Sequence, residues 1–149
     1  MISDFKELLS ILNAKQVKYL VIGGYAVMKY TEPRFTKDLD IWVWTDSENA
    51  KLVFQALRQF GAPLSGLTET DFTQPGSFYQ MGRPPARVDV LMSIDGVRFE
   101  EAWENRVESD FDGVLAHIIS KQDLIQAKRA AGRLQDLVDL ESLTLPEKK

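Results

Sequence analysis

Residues Leu20–Trp44 read LVIGGYAVMKYTEPRFTKDLDIWVW, and this stretch decides the fold. An apolar strand runs into Gly23-Gly24, a short helix follows, and a second apolar strand begins at Asp38. A glycine pair directly after a strand lets backbone N–H groups approach an anion closely, and the N-terminus of the following helix adds the positive end of its dipole. The stretch therefore predicts an anion-binding turn between a strand and a helix.

Asp38 and Asp40 are two residues apart at the start of the second strand. Alternate residues of a strand share one face, so we expect both carboxylates on the same face, with Cα atoms about 6–7 Å apart. This spacing suits two oxygen ligands that converge on a hard cation such as Mg²⁺. A phosphate-binding turn opposite a divalent-metal site is the combination that a nucleoside triphosphate needs.

Asp89 lies inside another apolar strand, Arg87–Met92, just as Asp40 lies inside its own. A strand-interior carboxylate needs a partner, whereas Asp38 taken alone has the alternative of a capping residue at a turn. Two interior aspartates favour a metal site. Three carboxylates in one cleft repel one another, and two Mg²⁺ ions about 3.5–4 Å apart would relieve that repulsion.

The Gly23-Gly24 pair, thirteen intervening residues and Asp38-Leu39-Asp40 together resemble the signature of the nucleotidyltransferase superfamily with the DNA polymerase β-like fold. The doubled glycine and the run Arg34-x-Thr36-x-Asp38-x-Asp40 are most similar to its small stand-alone members. These include the minimal nucleotidyltransferases and the AbiEii-type toxins of toxin–antitoxin systems. The resemblance covers about residues 17–92 and implies a third carboxylate on a later strand, which Asp89 supplies.

This resemblance assigns roles to the site residues as expectations. Asp38, Asp40 and Asp89 are the predicted catalytic residues and the predicted ligands of two Mg²⁺ ions, with Mn²⁺ as an alternative. Asp38 and Asp40 would bridge both ions, while Asp89 would bind the catalytic ion and accept the proton of the nucleophile.

Four residues near the glycine turn are predicted to bind the phosphates of the nucleotide. Gly23 and Gly24 offer only backbone donors, because neither carries a hydroxyl group. Arg34 and Thr36 precede the aspartates at even spacing and are expected to reach the phosphates. For Arg34 the alternative is a solvated surface charge.

The C-terminal segment 121–136 resembles the tail of AbiEii-like transferases, in which a lysine contacts the triphosphate. We expect this contact from Lys128, with Lys121 two turns away on the same helical face. The alternative is a solvated basic face on which Asp123 and Asp136 neutralise the lysines.

The alternation of strand and helix patterns predicts the α/β (α+β) class, a mixed β-sheet flanked by helices with further helices at the C-terminus. The resemblance implies that this is a polymerase β-like nucleotidyltransferase fold. The predicted helices cover residues 3–13, 25–30, 48–60, 120–131 and 133–143. The predicted strands cover residues 18–22, 38–44, 78–81, 87–92, 107–110 and 114–118. Ser47 is expected to cap the third helix, whose apolar face would be Leu52, Ala56 and Phe60. Loops rich in glycine and proline fill most of residues 63–85.

Length and composition indicate one globular domain over residues 1–149, with 44% hydrophobic and 27% charged residues. The absence of cysteine excludes a disulfide framework, a thiolate nucleophile and a cysteine zinc site. The net charge of −4 argues against a general nucleic-acid surface. No apolar run is long enough for a membrane span and the first turn lacks the layout of a signal peptide, so we expect a cytoplasmic protein with no membrane partner.

The predicted function is metal-dependent transfer of a nucleoside monophosphate from an NTP to a hydroxyl acceptor, with release of pyrophosphate. The alternative is a catalytically silent member that senses a nucleotide or binds a partner, either an antitoxin-type protein or a second copy of the chain. The acceptors that the resemblance implies are an antibiotic hydroxyl, an RNA 3′ end and a protein serine or tyrosine. The resemblance to the small toxins slightly favours RNA or protein over the antibiotic, and the sequence does not identify the acceptor.

Overall fold

The structure is a computed structural model that describes residues 3–33, 38–83 and 86–145. One mixed sheet runs through this part of the chain. Its strands are β1 (Tyr19–Ile22), β2 (Asp38–Val43), β3 (Phe78–Met81), β4 (Arg87–Leu91), β5 (Val107–Phe111) and β6 (Val114–Ile118). The helices are α1 (Ser3–Ala14), α2 (Gly23–Tyr30), α3 (Ser47–Phe60), α4 (Phe99–Glu104), α5 (Lys121–Ala131) and α6 (Leu134–Thr144).

The strand order is β3-β4-β2-β1-β6-β5. β2 pairs antiparallel with β1 and parallel with β4, so the first aspartate strand lies next to the second. β1 and β6 are also parallel, while β3 and β5 close the two edges as antiparallel strands. This mixed sheet with flanking helices confirms the predicted fold class.

The core lies around β1, whose four residues are all buried. α1 buries the predicted stripe of Phe5, Leu8, Leu9 and Leu12 and packs against α3 and β6. α2, α5 and α6 form a second group of helices in contact with one another. Two short elements were not predicted, namely α4 and a 3₁₀ helix over Glu69–Thr73. None of the described helices is long and apolar enough to cross a membrane.

The prediction for α3 was wrong in two details. Asp46, not Ser47, caps the helix by accepting a hydrogen bond from the Asn49 backbone N–H, because Ser47 is already its first helical residue. The buried face comprises Asn49, Ala50, Val53, Phe54, Ala56 and Leu57, while Leu52 and Phe60 are only partly buried. Compared with the predicted orientation, α3 is rotated about its axis so that the polar residue Asn49 is buried.

Asn49 ties α3 to the adjoining ends of β1 and β2. Its side chain is 4% exposed. Its Oδ1 accepts a hydrogen bond from the Lys18 backbone N–H at 2.8 Å, and its Nδ2 donates to the backbone oxygens of Lys18 at 3.1 Å and Trp44 at 2.8 Å. One side chain thereby bonds to three partly buried backbone groups.

We expect Asn49→Ala to lower the free energy of unfolding by about 1–3 kcal/mol, because the Lys18 N–H and the Trp44 carbonyl lose a partner in a partly buried place, while the Lys18 carbonyl keeps its hydrogen bond from the Trp44 N–H. Urea denaturation followed by far-UV circular dichroism measures the change. The control is Gln55→Ala at an exposed position of the same helix, which should change stability by less than about 0.5 kcal/mol. Equal midpoints for the two variants would contradict the prediction.

Candidate active site

Four charged side chains form a square on one face of the sheet. In the parallel pairing of β2 with β4, Asp38 lies opposite Arg87 and Asp40 lies opposite Asp89. Residues two apart on a strand point to the same face, so all four side chains share it. The structure therefore brings together on one face the three aspartates that the sequence singled out.

Arg87 is the member of this square that sequence reasoning missed. Its Nη2 lies 2.9 Å from Asp38 Oδ2 and 3.2 Å from Asp89 Oδ2, so one guanidinium bridges two carboxylates. The hydrogen bond to Asp89 and that carboxylate's charge raise the pKa of Arg87. The signal was present in the sequence, because a cation two residues before Asp89 on a strand must share its face.

The negative charge of Asp40 is poorly compensated by its surroundings. Burial raises its pKa to about 7, helped by the charge of Asp89, a hydrogen bond between the two carboxyl groups and the charge of Asp38. The guanidinium of Arg87 acts in the opposite direction and does not outweigh them. The square thus holds more negative charge than its one cation neutralises.

The donor atoms of the square fit a divalent cation. The Oδ1 atoms of Asp38, Asp40 and Asp89 are buried and have no hydrogen-bond partner among the described residues. Unpaired, anionic oxygens on neighbouring strands are the ligands that Mg²⁺ and Mn²⁺ prefer. Within the same residues, no group of three or more acidic, histidine or cysteine side chains is already arranged around a cation position. Arg87 occupies part of the space between the carboxylates.

Gly23 lets the Asp40 carboxylate lie directly against the start of α2. The helix begins at Gly23 itself, whereas the sequence predicted a start after the glycine pair. Gly23 has φ +69°, and a Cβ atom built there would overlap Oδ2 of Asp40. The position therefore requires glycine both for its backbone conformation and for this close approach. The start of α2 consequently lies beside Asp40.

A pocket of about 630 Å³ lies between the aspartate face of the sheet and the two C-terminal helices. Its lining includes Gly23, Gly24, Asp40, Asp89, Lys128 and Arg133. A cleft of this size that combines apolar walls with convergent charged groups is typical of a small-molecule site.

A family profile described as "Nucleotidyltransferase of unknown function (DUF6036)" matches residues 1–148. The chain belongs to this nucleotidyltransferase family. No curated protein matches the chain. The predicted family resemblance is therefore confirmed by a match over nearly the whole chain.

Three solved structures share the fold of this chain. The lincosamide antibiotic adenylyltransferase LnuA, bound to lincomycin, is 17% identical with a TM-score of 0.59 over 96% of each chain. A putative nucleotidyltransferase from Thermotoga maritima is 15% identical with a TM-score of 0.62 over 92% of this chain and 88% of its own. An antigenic nucleotidyltransferase-like protein from Paracoccidioides brasiliensis is 18% identical with a TM-score of 0.55 over 93% and 73%. At these identities the likeness concerns the fold.

Only some of the six residues predicted to bind phosphate line the pocket. Gly23, Gly24 and Lys128 line the pocket, but Lys121, at the start of α5, does not. Arg34 and Thr36 lie outside the described residues. Three of the six residues therefore line the same pocket as Asp40 and Asp89.

Lys128 is held in a buried ion-pair cluster. Its Nζ lies 3.1 Å from Asp136 Oδ1 and 3.0 Å from Asp139 Oδ2, and both carboxylates are 1% exposed. The sequence-based alternative named Asp136 as a partner of the lysines, and the structure adds Asp139. The cluster joins α5 to α6 at the wall of the pocket.

Acid is expected to destabilise the protein through Asp136. Burial works to raise its pKa, but hydrogen bonds from Arg133 and Lys128 outweigh it, so the folded-state pKa lies below the usual 3.8. A lowered folded pKa contributes stability above the unfolded pKa, and this contribution is lost as the pH falls through the folded value. We therefore expect the melting temperature to drop steeply below about pH 4 in the wild type and less steeply in Asp136→Asn.

Differential scanning fluorimetry between about pH 2.5 and 7 tests this prediction. Asp4→Asn, at an exposed position in the first turn of α1, serves as the control and should follow the wild type. A constant difference between wild type and Asp136→Asn at every pH would contradict the assignment.

Proposed function

We propose that this protein transfers a nucleoside monophosphate from an NTP to a hydroxyl acceptor. The acceptor oxygen forms a bond to the α-phosphorus in line with the bond that breaks, and pyrophosphate leaves. The observation that carries the proposal is the register of β2 and β4, which places Asp40 opposite Asp89 at a pocket that begins at Gly23.

Asp38, Asp40 and Asp89 are the residues that would hold divalent cations, Mg²⁺ or Mn²⁺, through their unpaired Oδ1 atoms. Bound cations would neutralise charge on the triphosphate and on the leaving pyrophosphate. We assign to Asp89 the removal of the proton from the acceptor hydroxyl, since its carboxylate lies at the pocket beside Asp40.

The turn at Gly23 and Gly24 is proposed to bind the phosphates. Neither glycine offers a side-chain donor, so the backbone N–H groups at the start of α2, where Gly23 and Gly24 line the pocket, would supply the contacts. Apolar side chains of the same pocket, including Leu91, Ile94 and Leu124, offer a surface for the nucleoside. In this proposal the triphosphate lies between the glycine turn and the aspartates.

Arg87 favours a second candidate function, a nucleotide-sensing or partner-binding protein without transfer activity. Its guanidinium already pairs with Asp38 and Asp89, two of the three carboxylates that transfer needs. In that case a nucleotide would bind without being consumed, and a partner such as an antitoxin-type protein or a second copy would respond to it.

Labelled NTPs distinguish the two functions. Purified protein is incubated with each α-labelled NTP, with Mg²⁺ or Mn²⁺, and with a cell lysate, total RNA or a lincosamide as acceptor source. The lincosamide is included because LnuA is a lincosamide adenylyltransferase. Transfer activity predicts label on one acceptor class, abolished by EDTA and in Asp40→Asn. Label that appears equally with wild type and variant would overturn the proposal.

Thermal stabilisation provides the second readout. A ligand that binds only the native state raises the apparent stability, so an NTP with Mg²⁺ should raise the melting temperature of the wild type. Stabilisation without label on any acceptor would favour the sensing function over transfer.

A further inference from the structure

The cation predicted to bind phosphate is already neutralised. Lys128 is 12% exposed and pairs with both Asp136 and Asp139. If Lys128 turned toward a phosphate, it would leave two buried carboxylates without this partner, and uncompensated buried charge is strongly unfavourable. Lys128 therefore serves to join α5 to α6, and its charge is not available to a ligand.

Arg133 lines the same pocket as Lys128, but its side chain is exposed to solvent. Its side chain is 78% exposed, and it lies between α5 and α6 as the residue that precedes α6. Its Nε donates to Asp136 Oδ2 at 2.8 Å, and its Nη2 lies at a longer 3.4 Å from Asp136 Oδ1. The carboxylate thus holds one edge of the guanidinium and sets its orientation.

The outer edge of this guanidinium, which carries Nη1, faces away from Asp136's hydrogen bonds and can bind a ligand. Among the described residues, no hydrogen bond engages Nη1 of Arg133. The charges of Asp95 and Asp40 act on Arg133 in addition to Asp136, so the guanidinium lies within electrostatic reach of the aspartate square. A planar fork oriented by one carboxylate is well suited to bidentate binding of a phosphate.

We propose that Arg133, rather than Lys128, supplies the side-chain cation that binds the phosphates of the nucleotide. This inference rests on the proposed function, in which the triphosphate lies between the glycine turn and the aspartates. The phosphate at the far end of the chain from the nucleoside then meets the outer edge of Arg133, while Asp136 keeps its hydrogen bond to Nε. Arg133 is a positioning residue for the leaving pyrophosphate.

Isothermal titration with inorganic tripolyphosphate and with ATP, both in the presence of Mg²⁺, tests the inference. We expect Arg133→Gln to weaken binding of both about 10-fold or more, as loss of a charged bidentate hydrogen bond implies. Arg133→Lys should restore only part of the affinity, because an ammonium keeps the charge but lacks the planar pair of parallel N–H donors that binds a phosphate through two oxygens. Adenosine, which has no phosphate, should bind wild type and Arg133→Gln alike.

Arg129→Gln is the matched control, since Arg129 is an exposed arginine on α5 outside the pocket. Unchanged tripolyphosphate affinity in Arg133→Gln, or an equal loss in Arg129→Gln, would overturn the inference. A melting temperature measured for each variant separates weakened binding from weakened folding.

Failure of this inference is distinguishable from failure of the proposed function. If the wild type transfers label and Arg133→Gln binds tripolyphosphate normally, only the role of Arg133 is wrong. If Arg133→Gln loses affinity but the wild type transfers no label, the phosphate site stands and transfer is wrong. If the wild type binds neither tripolyphosphate nor ATP, both are wrong.

Discussion

Replacing Asp40 by asparagine is expected to lower nucleotide transfer at least about 100-fold, because losing even an outer-shell partner of a metal ligand typically costs about 10–100-fold. Asp40 is central to the site, since it lies against Gly23 and opposite Asp89. Asparagine keeps the shape of the side chain but lacks the charge that a divalent cation requires. Initial rates of label transfer at saturating Mg²⁺ measure the effect.

The same substitution should stabilise the metal-free fold at alkaline pH. The pKa of Asp40 is raised to about 7, so the stability associated with its neutral form is present at acid pH and lost as the pH rises through that value. In EDTA at about pH 8, Asp40→Asn should therefore melt at a higher temperature than the wild type.

An active Asp40→Asn variant would contradict the assigned role, and a variant that melts lower at pH 8 would contradict the electrostatic account of the site. Asp46→Asn provides a control, because Asp46 caps α3 outside the pocket. Its transfer rate should equal that of the wild type.

Gly23→Ala is expected to reduce transfer about 100-fold as well, by moving a carboxylate without changing its chemistry. The new Cβ would overlap Oδ2 of Asp40, so this carboxylate must shift from its present position opposite Asp89. A displacement of about 1 Å in a catalytic group can cost about 100-fold in rate. The left-handed φ at this position adds about 1–3 kcal/mol of strain to the folded state.

Gly66→Ala separates these two causes. Gly66 has φ +81°, close to that of Gly23, but nothing lies within 4 Å of a Cβ built there. We expect Gly66→Ala to lower the melting temperature without changing the rate per folded molecule. A comparable loss of activity in both alanine variants would show that backbone strain alone, and not contact with Asp40, explains the effect.

Local patterns predicted much of the fold because they depend on neighbours in the chain. Both central residues of the turn Asp112-Gly113 have positive φ, at 53° and 92°, and the two strands predicted over residues 107–110 and 114–118 pair around them. Ser120, where the sequence predicts the start of a helix, accepts a hydrogen bond from the Asp123 backbone N–H at the start of α5. The short helix α4 escaped prediction, since a six-residue segment carries little periodic signal.

The site was predictable in part for the same reason. A spacing of two residues along a strand is enough to place Asp38 and Asp40 on one face, and it also predicts a shared face for Arg87 and Asp89. Nothing in that spacing says that the Arg87 guanidinium would bridge the carboxylates of two strands. That contact depends on which strand lies next to β2.

The sequence by itself determined the identity and the face of the acidic residues, the glycine turn and the family, because short spacings and local backbone preferences encode them. Only the tertiary structure decided that Asp40 lies opposite Asp89, that Asp139 joins Asp136 in neutralising Lys128, and that Arg133 keeps an exposed edge. These outcomes depend on strand register and on the burial of charge. Both are decided when segments far apart in the chain pack together, and neither leaves a local pattern to read.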